Sequence, residues 1–148
     1  MFRFALGLHN ILRWVVVIAA VWTLVRAYLG WLTNRPWTRR DSAAGRVLTI
    51  GFDVQFLVGI FLAVMSPLIQ AAIQAPEHIG TSESIRFFAV EHVPVMVAAW
   101  IVVHITSVIA KRAEADHERH QRTAIGYTLA AIMLLLATPW WRPLFPGL

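Results

Sequence analysis

A chain of 148 residues has the length of one small domain, yet 58% hydrophobic and 14% charged residues is the wrong balance for a small soluble one. The net charge of +5 comes from thirteen basic residues, all arginine except Lys111, which gather in two connections instead of forming a stripe among aromatics; this reads as lipid-facing and excludes a nucleic-acid binder. With no cysteine there is no disulfide, no thiolate metal site and no thioether attachment of a haem, so any cofactor must be held non-covalently.

Crossing ~30 Å of hydrocarbon at 1.5 Å per residue takes about 20 mostly apolar residues. Four segments meet that requirement, near 5–30, 47–69, 86–110 and 123–141. The expected fold class is therefore all-α: an integral membrane four-helix bundle occupying 1–148 as a single domain. The first span follows Met1-Phe2-Arg3-Phe4 with no small-residue cleavage site, so it reads as a retained span and not a signal peptide. The first connection runs from Asn34-Arg35-Pro36 to Asp41, the second from Pro67 to Ser84, and the third is the charged run Lys111 to Arg122. Arg35, Arg39, Arg40 and Arg46 lie in the first and Lys111, Arg112, Arg119 and Arg122 in the third, against Arg3, Arg86 and Arg142 on the opposite side. The positive-inside rule then predicts an N-out/C-out protein. Trp31 and Trp37 at one face, with Trp140 and Trp141 at the other, fit interfacial belts. The run Ala113 to His120 reads as a solvated helical turn, and His117 and His120 receive no function.

Ionisable side chains within a span cost several kcal/mol unless paired, hydrated or bound. His9 and Arg13 fall in the first span, Asp53 and Gln55 in the second, Glu91, His92 and His104 in the third, and none in the fourth. The first three spans are thus expected to surround a polar site while the fourth packs. His9 lies six residues after Arg3 and His92 six after Arg86, which sets both about 9 Å inward from the same face. Two level histidines on different helices are placed to ligate one haem iron from opposite sides, with Arg13, Arg86, Arg3 and Arg142 available near that face for its propionates, Arg13 and Arg86 foremost. The alternative is structural: His92 hydrogen-bonds across the bundle and Arg13 pairs with Glu91.

His104, twelve residues beyond His92, lies about 18 Å deeper and is rotated by about 120°, unless Pro94 distorts the helix. It is level with Asp53, and these two, with Glu91 as a further candidate, could form a proton relay or a quinone site. A plain inter-helix hydrogen bond is the competing reading. Gly51, Gln55 and Gly59 recur at i, i+4 and i+8 on one face of the second span, where a helix or the flat face of a porphyrin can approach closely. There is no phosphate loop, nucleophile elbow or His-Glu-x-x-His motif.

His9-Asn10-Ile11-Leu12-Arg13-Trp14, Asp53-Val54-Gln55 with Gly59, Arg86-Phe87-Phe88-Ala89-Val90-Glu91-His92 and Thr138-Pro139-Trp140 resemble the small four-span bacterial membrane proteins labelled "cytochrome b". The resemblance covers all four spans, and Arg-Phe-Phe-x-Val-Glu-His is its most specific piece. It implies a multi-pass protein of the bacterial inner membrane with one non-covalent haem b, ligated by His9 and His92, and quinol or a redox partner protein as the electron-exchange partner. Better-known transmembrane b cytochromes carry paired histidines on two helices for two haems, a pattern this chain lacks. The expected function is that of a b-type cytochrome, either an electron carrier or a quinol-linked oxidoreductase. A haem-free proton or ion transporter and an accessory subunit of a larger complex are the rivals, and the apolar fourth span leaves area for a homodimer.

Overall fold

The computed structural model describes residues 1–142; residues 143–148, the end of the single domain expected over 1–148, lie outside the described residues. All its regular elements are helical: α1 (Phe2–Leu32), α2 (Arg39–Met65), α3 (Pro67–Gln74), α4 (His78–Thr81), α5 (Glu83–Arg86), a π-helical turn (Phe87–His92), α6 (Val93–Lys111) and α7 (Asp116–Leu136). Three helices, Phe2–Leu32, Arg39–Met65 and the continuous Glu83–Lys111, are long and apolar enough to cross a membrane. The helix that would make a fourth crossing, α7, opens with the charged run from Asp116.

Local chemistry sets the boundaries. Asn34 takes φ 50°, a left-handed conformation asparagine tolerates, and the Arg35 N–H then closes back on the Gly30 carbonyl at 3.0 Å. That is a Schellman ending for α1. Thr38 caps α2, with Asp41 three residues on accepting the Thr38 backbone N–H at 2.7 Å. Pro67 disfavours a helical Ser66, whose ψ is 121°, and so α2 stops there and α3 begins with proline at its first position. The expected polar connection from Pro67 to Ser84 is thus partly helical, and α3 lays Leu68 and Ile69 along a cavity between the helices. Pro94 cannot donate a hydrogen bond into the preceding turn and crowds its carbonyl, and the chain widens to a π turn just before it.

Packing runs α2–α1–α7–α6, with α6 returning to α2. The core is built largely from small residues: Ala19, Ala20, Ala99 and Ala130 join Val16, Val103 and Leu48, all buried. The large aliphatics point outward instead, for example Ile18, Val25, Ile50, Leu57, Ile105, Leu129 and Leu136. Small residues inside and large apolar ones outside is the arrangement expected where the surroundings are lipid and helices adhere by close approach. Two glycines make that approach possible. A Cβ on Gly126 would lie 2.1 Å from Thr106 Oγ1, and one on Gly30 would lie 2.2 to 2.4 Å from the His120 ring.

Candidate functional site

At the end of the molecule that carries the N-terminus and Arg142, a cavity of about 810 Å³ opens between α1, α2, α3, the π turn and the end of α7. That volume falls in the range of small-molecule and cofactor sites, ~300–1,000 Å³. His9 from α1 and His92 from the π turn both line it, with ring centroids 6.4 Å apart and planes inclined at 70°. The two histidines that the sequence placed level are therefore brought together.

Their second nitrogens are treated differently. His92 Nδ1 lies 2.6 Å from the Ala137 carbonyl, which can only accept, so Nδ1 carries the proton and Nε2 keeps its lone pair. His9 Nε2 sits 3.2 Å from the Gln55 amide nitrogen, which donates to it; His9 Nδ1 and Gln55 Oε1 are both buried and make no hydrogen bond. Two buried polar atoms without partners on residues that line the cavity leave hydrogen-bonding capacity unspent beside it. Phe88 packs edge-on against His92, and the Arg142 guanidinium lies 4.3 Å over the Phe88 ring. Arg13 is buried, and Arg3, Arg13 and Arg142 all line the cavity. Gly59 lies against His9: an added Cβ would meet the His9 ring at 3.4 Å.

Two expected members, Arg86 and Gly51, sit elsewhere. Arg86 pairs with Glu91 at 3.0 Å, both half exposed, and neither lines the cavity. The π turn accounts for this, because it turns His92 inward while leaving Arg86 and Glu91 to each other on the outside. Arg3 and Arg142 occupy the position expected of Arg86, and the expected alternative pairing of Arg13 with Glu91 is not made. Gly51 does not line the cavity either; its open face receives Val16 of α1, so it serves helix packing. Of the i, i+4, i+8 series, Gln55 and Gly59 reach the site.

Deeper in the molecule, Asp53 Oδ1 accepts the Trp100 indole N–H and meets His104 Nε2, each at 2.8 Å. Both Asp53 and His104 side chains are more than a third exposed, at 39% and 38%, on the outer face of α2 and α6. Glu91 does not join them. His104 is remote from the His9–His92 cavity because the helix between His92 and His104 is regular, and the widening associated with Pro94 falls before it.

The far end holds a cluster that no motif announces. Asp41 is buried and accepts Arg26 at 2.9 Å and Arg35 at 3.2 Å. His120, read from sequence as solvated, is completely buried against Gly30 and the Trp37 ring, 4.7 Å between centroids. Its polarity and its charged neighbours in sequence hid this. The signal that could have revealed it is Gly30 in the last turn of a long apolar helix, where a missing side chain leaves space for another. The fourth helix also contributes more than packing, through the Ala137 carbonyl, a backbone group that no motif search registers.

Among the described residues, no group of three or more His, Asp or Glu side chains gathers to hold a bare metal ion. Comparison with protein-family models, with characterised proteins and with solved structures finds no match.

Proposed function

We propose that this chain crosses a bacterial inner membrane four times, termini outward, and holds one b-type haem between His9 and His92 for electron exchange with a quinol or a partner protein. The observation that carries the haem reading is the 6.4 Å between the centroids of two imidazoles that line one cavity. Metal–imidazole bonds are about 2.0 Å long, so two rings sharing one metal from opposite sides have centroids roughly 6 Å apart. A porphyrin supplies four ligands itself, so two histidines suffice where a bare ion would need more. Arg3, Arg13 and Arg142 offer cations for two propionates.

When bound, the haem supplies one-electron redox chemistry. The protein's own residues do the rest. The Ala137 carbonyl fixes the His92 tautomer and raises the basicity of its free nitrogen. Gln55 holds the His9 ring until its place is taken, and the apolar walls exclude water. Basic residues concentrated in the two connections at the far end support the N-out/C-out orientation, and the outward Ile125, Leu129, Ile132 and Leu136 support α7 as a fourth crossing.

The test is an absorption spectrum of protein purified from haem-replete cells, oxidised and dithionite-reduced. Sharp bands of a six-coordinate b haem are expected, lost in His9→Ala and His92→Ala. Arg13→Gln is expected to lower retained haem severalfold, whereas Arg86→Gln leaves it unchanged, since Arg86 faces Glu91. A colourless wild type overturns the haem reading and favours a proton or ion route.

Asp53 and His104 support a proton-exchanging quinone site at the second level, because a carboxylate and an imidazole in contact stand partly exposed on the lipid-facing side. Asp53→Asn is expected to slow reduction by a quinol analogue at least tenfold with the haem spectrum intact. An unchanged rate would reduce the pair to a structural hydrogen bond.

A further inference from the structure

A second concavity, about 690 Å³, lies at the opposite end, between the N-terminal turns of α2 and α7 and the C-terminal turn of α6. Arg39, Arg46, Lys111 and Arg119 line it, drawn from three helices. Its only carboxylate, Asp41, is already taken by Arg26 and Arg35. Among the described residues, none of the four lining cations makes an ion pair, and Arg119 Nε is buried without a hydrogen bond while its guanidinium lies 4.4 Å over Trp37. Hydroxyls that line it are spent within the fold, Thr123 on the Arg119 carbonyl and Ser42 between Trp37 and the Thr38 carbonyl, so the cations alone face the hollow unmatched.

Topology alone does not require this arrangement. The positive-inside rule asks for basic residues somewhere in a connection, and Arg40 and Arg122 satisfy it from outside the concavity, Arg122 in an ion pair with Glu118. Four uncompensated cations converging on one hollow repel one another, and an anion in the hollow relieves that repulsion.

We propose that this hollow binds a phosphate-bearing anion, held by Arg39, Arg46, Lys111 and Arg119. Its place at the ends of apolar helices, beside Trp37, puts it at headgroup level, and basic pockets between transmembrane helices on the cytoplasmic side suit anionic lipid headgroups. A diphosphate lipid such as cardiolipin matches four cations best. The proposal rests on the membrane reading and is independent of the haem.

The full chain in a mild neutral detergent tests it, by native mass spectrometry and thermal unfolding with added cardiolipin, phosphatidylcholine or inorganic pyrophosphate. Cardiolipin is expected to be retained and to raise Tm by several degrees, while phosphatidylcholine does neither. Arg46→Ala and Lys111→Ala, both exposed and outside any ion pair, are each expected to weaken retention roughly fivefold, and Arg40→Ala to leave it unchanged. The effect should shrink as salt rises from 0.1 to 1 M. Stabilisation by pyrophosphate, lost in the same variants, would confirm the site and identify its occupant as a soluble phosphate. No preference for either phosphate probe over phosphatidylcholine, or equal retention in both alanine variants, would overturn it.

Discussion

The His120 imidazole occupies the volume that any side chain at position 30 would need. Gly30→Ala should therefore destabilise the protein by about 1–3 kcal/mol, seen as a fall in Tm, because the ring is walled in and cannot swing away. His120→Ala should recover part of that loss in the double variant, giving a coupling energy that independent sites would not show. The same residue gives stability a pH dependence. Burial chiefly, and Arg35 further, hold its pKa below the ordinary imidazole value, against the opposite pull of Asp41, the Pro36 carbonyl and Asp116. The folded state thus binds fewer protons than the unfolded state as pH falls through about 6.5, so this contribution is complete above that pH and is lost on acidification. His120→Gln should flatten the decline in Tm between pH 7 and 5; an identical slope would show that the imidazole does not titrate against folding.

The helices themselves were legible from hydrophobic runs of sufficient length, since burial in lipid demands long apolar segments and little else does. Their exact ends were less so. The span expected at 123–141 is a helix over Asp116–Leu136, because the charged first turn is helical and the chain turns before Pro139. The histidines at equal depth could be read from rise per residue, because His9 and His92 count inward from the same end. The cations around them were legible in part: Arg3, Arg13 and Arg142 line the cavity and Arg86 does not, because counting gives depth but not azimuth. Arg86 has the depth of the site and points away from it, a consequence of the π turn that sequence periodicity assumes away. Asp53 and His104 met as expected since both depth and face happened to agree.

For the whole molecule, an outer surface of large aliphatics over an alanine-rich interior states the surroundings more firmly than composition did. The orientation can be read directly because the chain has no cysteine of its own. Single cysteines introduced at Ala113 and at Gly80, treated in intact cells with a membrane-impermeant maleimide, should label only at Gly80. Labelling at Ala113 alone would invert the proposed topology. The cavity with the paired histidines and the basic hollow lie at opposite ends of the bundle, and under the proposed topology the first faces outward and the second inward.

If those paired histidines hold one haem, the pyridine haemochrome of the purified protein reads it as haem per chain. One b haem per chain is expected in the wild type, falling below about a tenth in His9→Ala and in His92→Ala, since an axial ligand is lost in each. Wild-type protein without haem, or alanine variants that keep a full complement, would contradict the account.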